Sequence, residues 1–321
     1  MKTKAVRLYG KMDLRLEEFE LPEIKNDEIL VKVAADSLCM STYKAALSEP
    51  YSCVIGACQS LYRTDRQKHN HYLGIKEGGR MAIIGGCGPM GLAAIDYALS
   101  GEFRPSQLIV TDLDNARLKR AQSIFGKKAE SRDISLLFIN TGEMDDAFQS
   151  IMRLTENEGF DDMLVMIPYA QALEFGESLL GFNGCMNFFA GPTDEKFSAK
   201  LNYFDVHYME KHIIGTTGGN VDDIKEALEL MEKDLLSPEV LITHIGGLNA
   251  VIEATLNLPR IPGGKKLIYT GINLPLTALD DLESKAGESD FFRTLAELVK
   301  NANGLWSIKA EKFIMENGDP I

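Results

Sequence analysis

The chain has 321 residues, 45% hydrophobic and 25% charged, which is the balance of an ordinary globular protein with room for two domains or one large one. Its net charge of −13 argues against nucleic acid and anionic membranes as partners. No window of about 18 apolar residues exists, so no membrane-crossing helix is expected.

The first nine residues carry charges and no apolar core region, so they do not read as a signal peptide. Five scattered cysteines, Cys39, Cys53, Cys58, Cys87 and Cys185, fit a reducing cytoplasm better than a disulfide framework. Residues 1–36 read as β structure over Ala5–Tyr9, Leu14–Phe19 and Glu28–Ala34, with turns at Gly10–Asp13 and Lys25–Asp27. A helix is expected over 49–62, starting near Ser48 with Pro50 in its first turn. Residues 63–79 are polar and loop-like. From residue 80 strands and helices alternate. Strands are expected at 81–85, 107–112, 135–140, 162–167, 184–189, 212–216 and 239–243, and helices at 90–99, 115–125, 145–155, 170–180, 222–233 and 248–257. Continuous apolar strands such as Met163–Ile167 and Cys185–Phe189 suit a parallel sheet covered on both faces, hence a doubly wound α/β domain. Another strand follows at Lys266–Thr270, then two or three helical patterns to the end.

Gly86-Cys87-Gly88-Pro89-Met90-Gly91 fits G-x-G-x-x-G, and Asp112 follows the last glycine by 21 residues. An apolar strand precedes the glycines, a helical pattern follows, and a second strand delivers Asp112. This is the fingerprint of a dinucleotide-binding βαβ unit. Gly86 permits a tight turn, Gly88 lets a pyrophosphate approach the backbone, and Gly91 lets the helix pack on the strand. Pro89 suits the first helical turn, whose free N–H groups and positive dipole end face the phosphates. A carboxylate at Asp112 accepts from ribose hydroxyls and repels a 2′-phosphate, so NAD(H) is expected over NADP(H), although Arg117, Lys119 and Arg120 lie close in sequence.

Further segments complete a pattern: Leu38-Cys39-Met40-Ser41-Thr42, Ser48-Glu49-Pro50, Phe189-Ala190-Gly191-Pro192, Gly215–Gly219, Leu241–His244 and Gly263–Tyr269. With the fingerprint they resemble the zinc-dependent medium-chain dehydrogenases/reductases, nearest to the branch of L-sorbose 1-phosphate reductase and sorbitol dehydrogenase, over most of the chain. The resemblance implies a GroES-like β domain at 1–48 and 266–321 and a Rossmann domain at 49–265. It implies Cys39 and Glu49 as catalytic zinc ligands, and cofactor contacts at Gly86, Gly88, Pro89, Met90, Gly91, Asp112 and Arg117. Ala190 and Gly191 match backbone along the nicotinamide. The implied reaction is hydride transfer between NAD(H) and a polyol, ketose or ketose phosphate, by a homodimer or homotetramer.

The chain departs from that family in one respect. Cys39 and Glu49 are only ten residues apart, there is no Gly-His-Glu, and the Cys-x-x-Cys-x-x-Cys run is missing. A segment on the order of a hundred residues, most of a small domain, is absent near Lys44–Ser48. Catalytic zinc takes three protein ligands, and Cys39 with Glu49 supply two. His69 and His71 follow in the next loop with metal-permitting spacing, but also read as solvated loop residues. Cys39 reads equally as a buried thiol, and Glu49 as a favourable first-turn charge. His207, His212 and His244 read as structural, His244 standing at a strand end where the cofactor crevice can lie. Two rivals stay open: an NAD(H)-binding remnant without catalysis, and a zinc-independent quinone or alkene reductase. Loss of the segment leaves the N-terminal strands with open edges and exposed apolar surface.

Overall fold

The computed structural model describes residues 1–37 and 43–321. They divide into two compact units, Met1–Glu49 with Pro238–Ile321, and Pro50–Ser237.

The first unit opens with β1 (Lys2–Gly10) and β2 (Asp13–Glu20), an antiparallel hairpin as the alternation predicts. The strand expected over Glu28–Ala34 does not form. Strand β3 (Ala35–Ser37) begins only where the chain meets a partner, pairing antiparallel with Lys265–Tyr269. A strand exists by virtue of its ladder, and among the described residues the backbone of Ile29–Lys32 makes no hydrogen bond. The next elements are α1 (Tyr43–Ala46) and α2 (Ser48–Gln59), the latter starting as expected.

In the second unit, residues expected to be loop form a small hairpin, β4 (Tyr62–Thr64) and β5 (His71–Leu73). Asp65 holds its turn by accepting from Gln67 N, Lys68 N and the Tyr72 hydroxyl. Then β6 (Arg80–Ile84), α3 (Pro89–Ala98), β7 (Gln107–Asp112), α4 (Asn115–Glu130), β8 (Ser135–Asn140), α5 (Ala147–Leu154), β9 (Phe160–Val165), α6 (Ala170–Leu179), β10 (Leu180–Phe188), α7 (Tyr203–Tyr208), β11 (His212–Gly215) and α8 (Val221–Glu232) follow. The strands form one parallel sheet in the order β11-β10-β9-β6-β7-β8. The order reverses at β6, where the chain winds first one way and then the other. That topology opens a crevice at the strands' carboxyl ends. Met81, Ile83, Leu108, Val110, Met163, Leu164 and Met186 are buried on the central strands. The short aromatic α7 falls outside the predicted elements.

Residues 238–321 return to the first unit. Strand β12 (Ile242–Gly247), α9 (Val251–Asn257), β13 (Lys265–Tyr269), β14 (Ile272–Asn273), β15 (Thr277–Ala278), α10 (Leu282–Lys285), α11 (Asp290–Asn301), α12 (Ile308–Asn317) and β16 (Asp319–Pro320) complete it. A four-stranded sheet runs β15-β12-β13-β3. Residues 238–265 therefore belong with the N-terminal segment, whereas the expected boundary placed them in the dinucleotide domain. The reason is pairing: β12 lies parallel to β13 and antiparallel to β15, not beside β11. Trp306, fully buried, donates through Nε1 to the Tyr269 hydroxyl at 2.9 Å.

The second unit also buries charge. Lys211 Nζ lies 2.9 Å from Glu177 Oε1 and 2.8 Å from the Glu177 carbonyl, both side chains being almost wholly enclosed. Removing one member of such a pair leaves the other charge unpaired, a loss of about 3–5 kcal/mol. Lys211→Met is accordingly expected to lower the unfolding free energy of the second unit by that amount, read as a lower urea midpoint. An unchanged midpoint would contradict the assignment.

Candidate functional site

Strand β6 ends at Ile84 and the chain turns through four residues into α3. Gly85 holds φ at +69°, in the left-handed region that glycine adopts without strain. The Gly86 amide donates to the Thr111 carbonyl at 2.9 Å and fastens the turn to β7. Gly91, in the first turn of α3, lies against that backbone: a Cβ there would sit 2.3 Å from the Gly86 carbonyl oxygen. Gly88 differs. A Cβ at Gly88 would meet nothing within 4 Å, so its face is open. Pro89 occupies the first helical position, and no side chain caps the helix start.

Asp112 closes β7 beside this turn. One carboxylate oxygen accepts from Leu113 N at 2.8 Å and Asp114 N at 3.2 Å; the other accepts from Cys87 N at 3.1 Å. The acid thus ties the glycine turn to the neighbouring strand end. The Cys87 thiol is buried in the same turn, and burial, with Asp112 second, pushes its pKa up to about 12. Asp114 caps α4, accepting from Ala116 N and Arg117 N. Arg117 Nε lies 3.6 Å from the Asp114 carboxylate.

These residues line one wall of a cleft of about 710 Å³ formed wholly within the second unit. Gly88, Pro89, Met90, Gly91, Asp112 and Arg117 all reach it, while Gly86 lies behind them under the turn. Met166, which reads from sequence as core or pocket filler, lines the cleft with Ile167, Tyr169 and Phe175, which were not singled out from sequence. Their signal was position: Met166 and Ile167 directly follow β9, at the strand end beside the switch in strand order. Ala190 and Gly191 follow β10, and the Ala190 amide donates to the Val165 carbonyl at 3.2 Å. They stand at the carboxyl end of the sheet but do not line the cleft.

Cys39 lies outside the described residues. Glu49 is exposed in the first turn of α2. Among the described residues no three His, Cys, Asp or Glu side chains converge in a metal-binding group. His69 is exposed in the β4–β5 turn, and His71 Nδ1 lies 3.1 Å from Thr64 Oγ1 in its own hairpin. His212 Nε2 lies 2.8 Å from Asn183 Oδ1 and its ring packs on Tyr62. His244 Nδ1 lies 2.9 Å from Thr243 Oγ1.

The zinc-binding dehydrogenase family profile matches residues 89–233. The chain is 36% identical to the uncharacterized protein YggP of Escherichia coli, over 98% of this chain and 97% of that one. It is 43% identical to the mannitol-1-phosphate 5-dehydrogenase of Aliivibrio fischeri over 90% of this chain and 70% of the relative. It is 33% identical to the L-sorbose 1-phosphate reductase of Klebsiella pneumoniae over 99% and 98%. The first and third alignments run over 413 and 417 positions against a chain of 321 residues, so much of each alignment has no residue of this chain opposite the relative. Among solved structures, 2R,3R-butanediol dehydrogenase from Bacillus subtilis superposes with a TM-score of 0.57 at 20% identity, over 72% of this chain and 58% of that one. An α/β fold with a parallel nucleotide-fold sheet, a shared fold with alcohol dehydrogenases and near-full-length similarity to YggP and the reductase converge: this chain belongs to the zinc-binding, medium-chain dehydrogenase/reductase family of oxidoreductases.

Proposed function

We propose that the second unit binds NAD(H) in the cleft beside Gly88 and Asp112, and that the chain uses it for hydride transfer with a polyol, ketose or ketose phosphate. The observation that carries the cofactor assignment is the open face of Gly88 at the start of an uncapped helix, with the Asp112 carboxylate in the same cleft. The relatives named for mannitol 1-phosphate and L-sorbose 1-phosphate support the substrate class.

The nicotinamide, when bound, supplies the hydride donor or acceptor. The chain's own residues do the rest. The first-turn amides of α3, including those of Met90 and Gly91, face the pyrophosphate with the helix dipole behind them. Asp112 receives the adenosine ribose hydroxyls and disfavours a 2′-phosphate. Arg117 lines the same cleft and favours the opposite charge, but Asp114 beside it offsets that attraction. Ala190 and Gly191 are assigned to the nicotinamide end. Cys39 and Glu49 remain the proposed metal ligands, one short of the three that catalytic zinc takes, so no step is routed through zinc.

The positions of YggP and the reductase with no residue of this chain opposite them favour a second reading, in which the cofactor binds without turnover. NADH titration with turnover assays on hexitol phosphates and ketose phosphates separates the two. Binding with turnover supports the first reading, binding alone the second, and absence of binding overturns both.

The cofactor site carries three expectations. Gly88→Ala places a methyl group in the open face and is expected to weaken NADH binding by at least about tenfold, or 1.4 kcal/mol, while leaving the melting temperature in place. Gly91→Ala drives a methyl group into the Gly86 carbonyl and should lower stability by about 1–3 kcal/mol, read by thermal melting. Asp112→Asn should narrow the preference for NADH over NADPH in parallel titrations, and tighter NADPH binding by the parent protein would sink the NAD(H) assignment.

A further inference from the structure

Among the described residues of the first unit, the segment between the β1–β2 hairpin and β3 is a long apolar run left outside any sheet. Ile29 is 86% exposed, Val31 66%, Leu30 52% and Val33 51%. Such residues ordinarily fill a pleated, half-buried surface, and here they stand in solvent. The free stretch has defined ends. On one side the Glu28 amide donates to the Lys25 carbonyl and its carboxylate accepts from Lys25 N. On the other, the Val33 carbonyl accepts from the Thr270 hydroxyl and the Ala34 carbonyl from the Thr270 amide. Between them, Ile29–Lys32 offers backbone donors and acceptors with no partner among the described residues.

We propose that this segment is a dimerisation strand, pairing antiparallel with the same segment of a second copy of the chain about a two-fold axis at Leu30. The choice of occupant follows from the sequence of the segment, Glu28-Ile29-Leu30-Val31-Lys32, which is complementary to its own reverse. With Leu30 opposite Leu30, Ile29 falls opposite Val31 and Glu28 falls opposite Lys32, each pair occurring twice. One face of the paired strands then carries four β-branched side chains in a row. The other carries two ion pairs flanking the Leu30 contact. Cross-strand pairs of both kinds stabilise an antiparallel ladder, and like charges directly opposite destabilise it. Any other register loses one or the other: shifting by one residue brings apolar and charged faces together. A two-fold axis demands this self-complementarity of an interface, whereas a strand from an unrelated partner does not. The segment is also locally neutral, with Lys25 and Lys32 against Asp27 and Glu28, so the net charge of −13 does not oppose close approach there.

Charge reversal tests the register. The full-length protein is examined by sedimentation velocity over a concentration series, with circular dichroism confirming that each variant is folded. Glu28→Lys sets two pairs of lysines opposite each other, and Lys32→Glu sets two pairs of glutamates; each is expected to weaken self-association by roughly tenfold or more. The double variant Glu28→Lys with Lys32→Glu restores opposite charges across the axis and should return to the parent's association constant. Rescue by the double variant cannot come from the Lys25–Glu28 contact within one chain, because that contact stays broken. A parent that remains monomeric, single variants that associate like the parent, or a folded double variant that fails to recover would each overturn the proposal.

Discussion

The packing of Gly91 against the Gly86 carbonyl is the constraint from which the functional half of the molecule follows. Strand β6 lies at the centre of the parallel sheet, and α3 can settle on it only where a helical residue has no side chain at the point of closest approach. With α3 so placed, its start points across the carboxyl end of the sheet and leaves Gly88 facing outward. Asp112 then joins the turn from the adjacent strand and receives the Cys87 amide, so the acid and the helix start are held at a fixed separation before any ligand arrives. A ligand taken up by a cleft prepared in this way would cost little conformational entropy of the protein.

Much of the second unit was legible because its signals are local. Strand, glycine turn, helix and acid succeed one another within a single βαβ repeat, and each obeys short-range rules of turn sterics and apolar periodicity. What escaped was decided at longer range. The β4–β5 hairpin has few apolar residues to announce it and depends on the Asp65 turn. The wall made by Tyr169 and Phe175 comes from a different βα connection than the fingerprint, and only the strand order brings it opposite. In the first unit the residues of Glu28–Ala34 carry a strand's composition, yet composition supplies no partner. Likewise the strand expected over 239–243 starts only at Ile242, after a 3-10 turn at Pro238–Leu241, and nothing local says whether it extends one sheet or builds another.

The two units therefore stand in different positions relative to their longer relatives. The four inner strands of the six-stranded sheet have neighbours on both sides, and their central side chains are sealed. The first unit retains a four-stranded sheet, a two-stranded hairpin and a well-packed Trp306–Tyr269 centre, but leaves a row of aliphatic side chains uncovered. A loss inside a chain is tolerated most easily where the remaining pieces keep separate cores. That is the pattern here, with the parallel-sheet unit sealed and the row of exposed aliphatic side chains lying in the other.

The thiol of Cys87 sits inside the glycine turn proposed to meet the cofactor, a place where a reactive cysteine would expose that turn to oxidants. Its enclosure and the neighbouring Asp112 charge hold it in the protonated form at physiological pH. Sulfenylation and alkylation both begin with thiolate. The glycine turn thereby carries a sulfur atom held away from the thiolate form through which peroxides and electrophiles react.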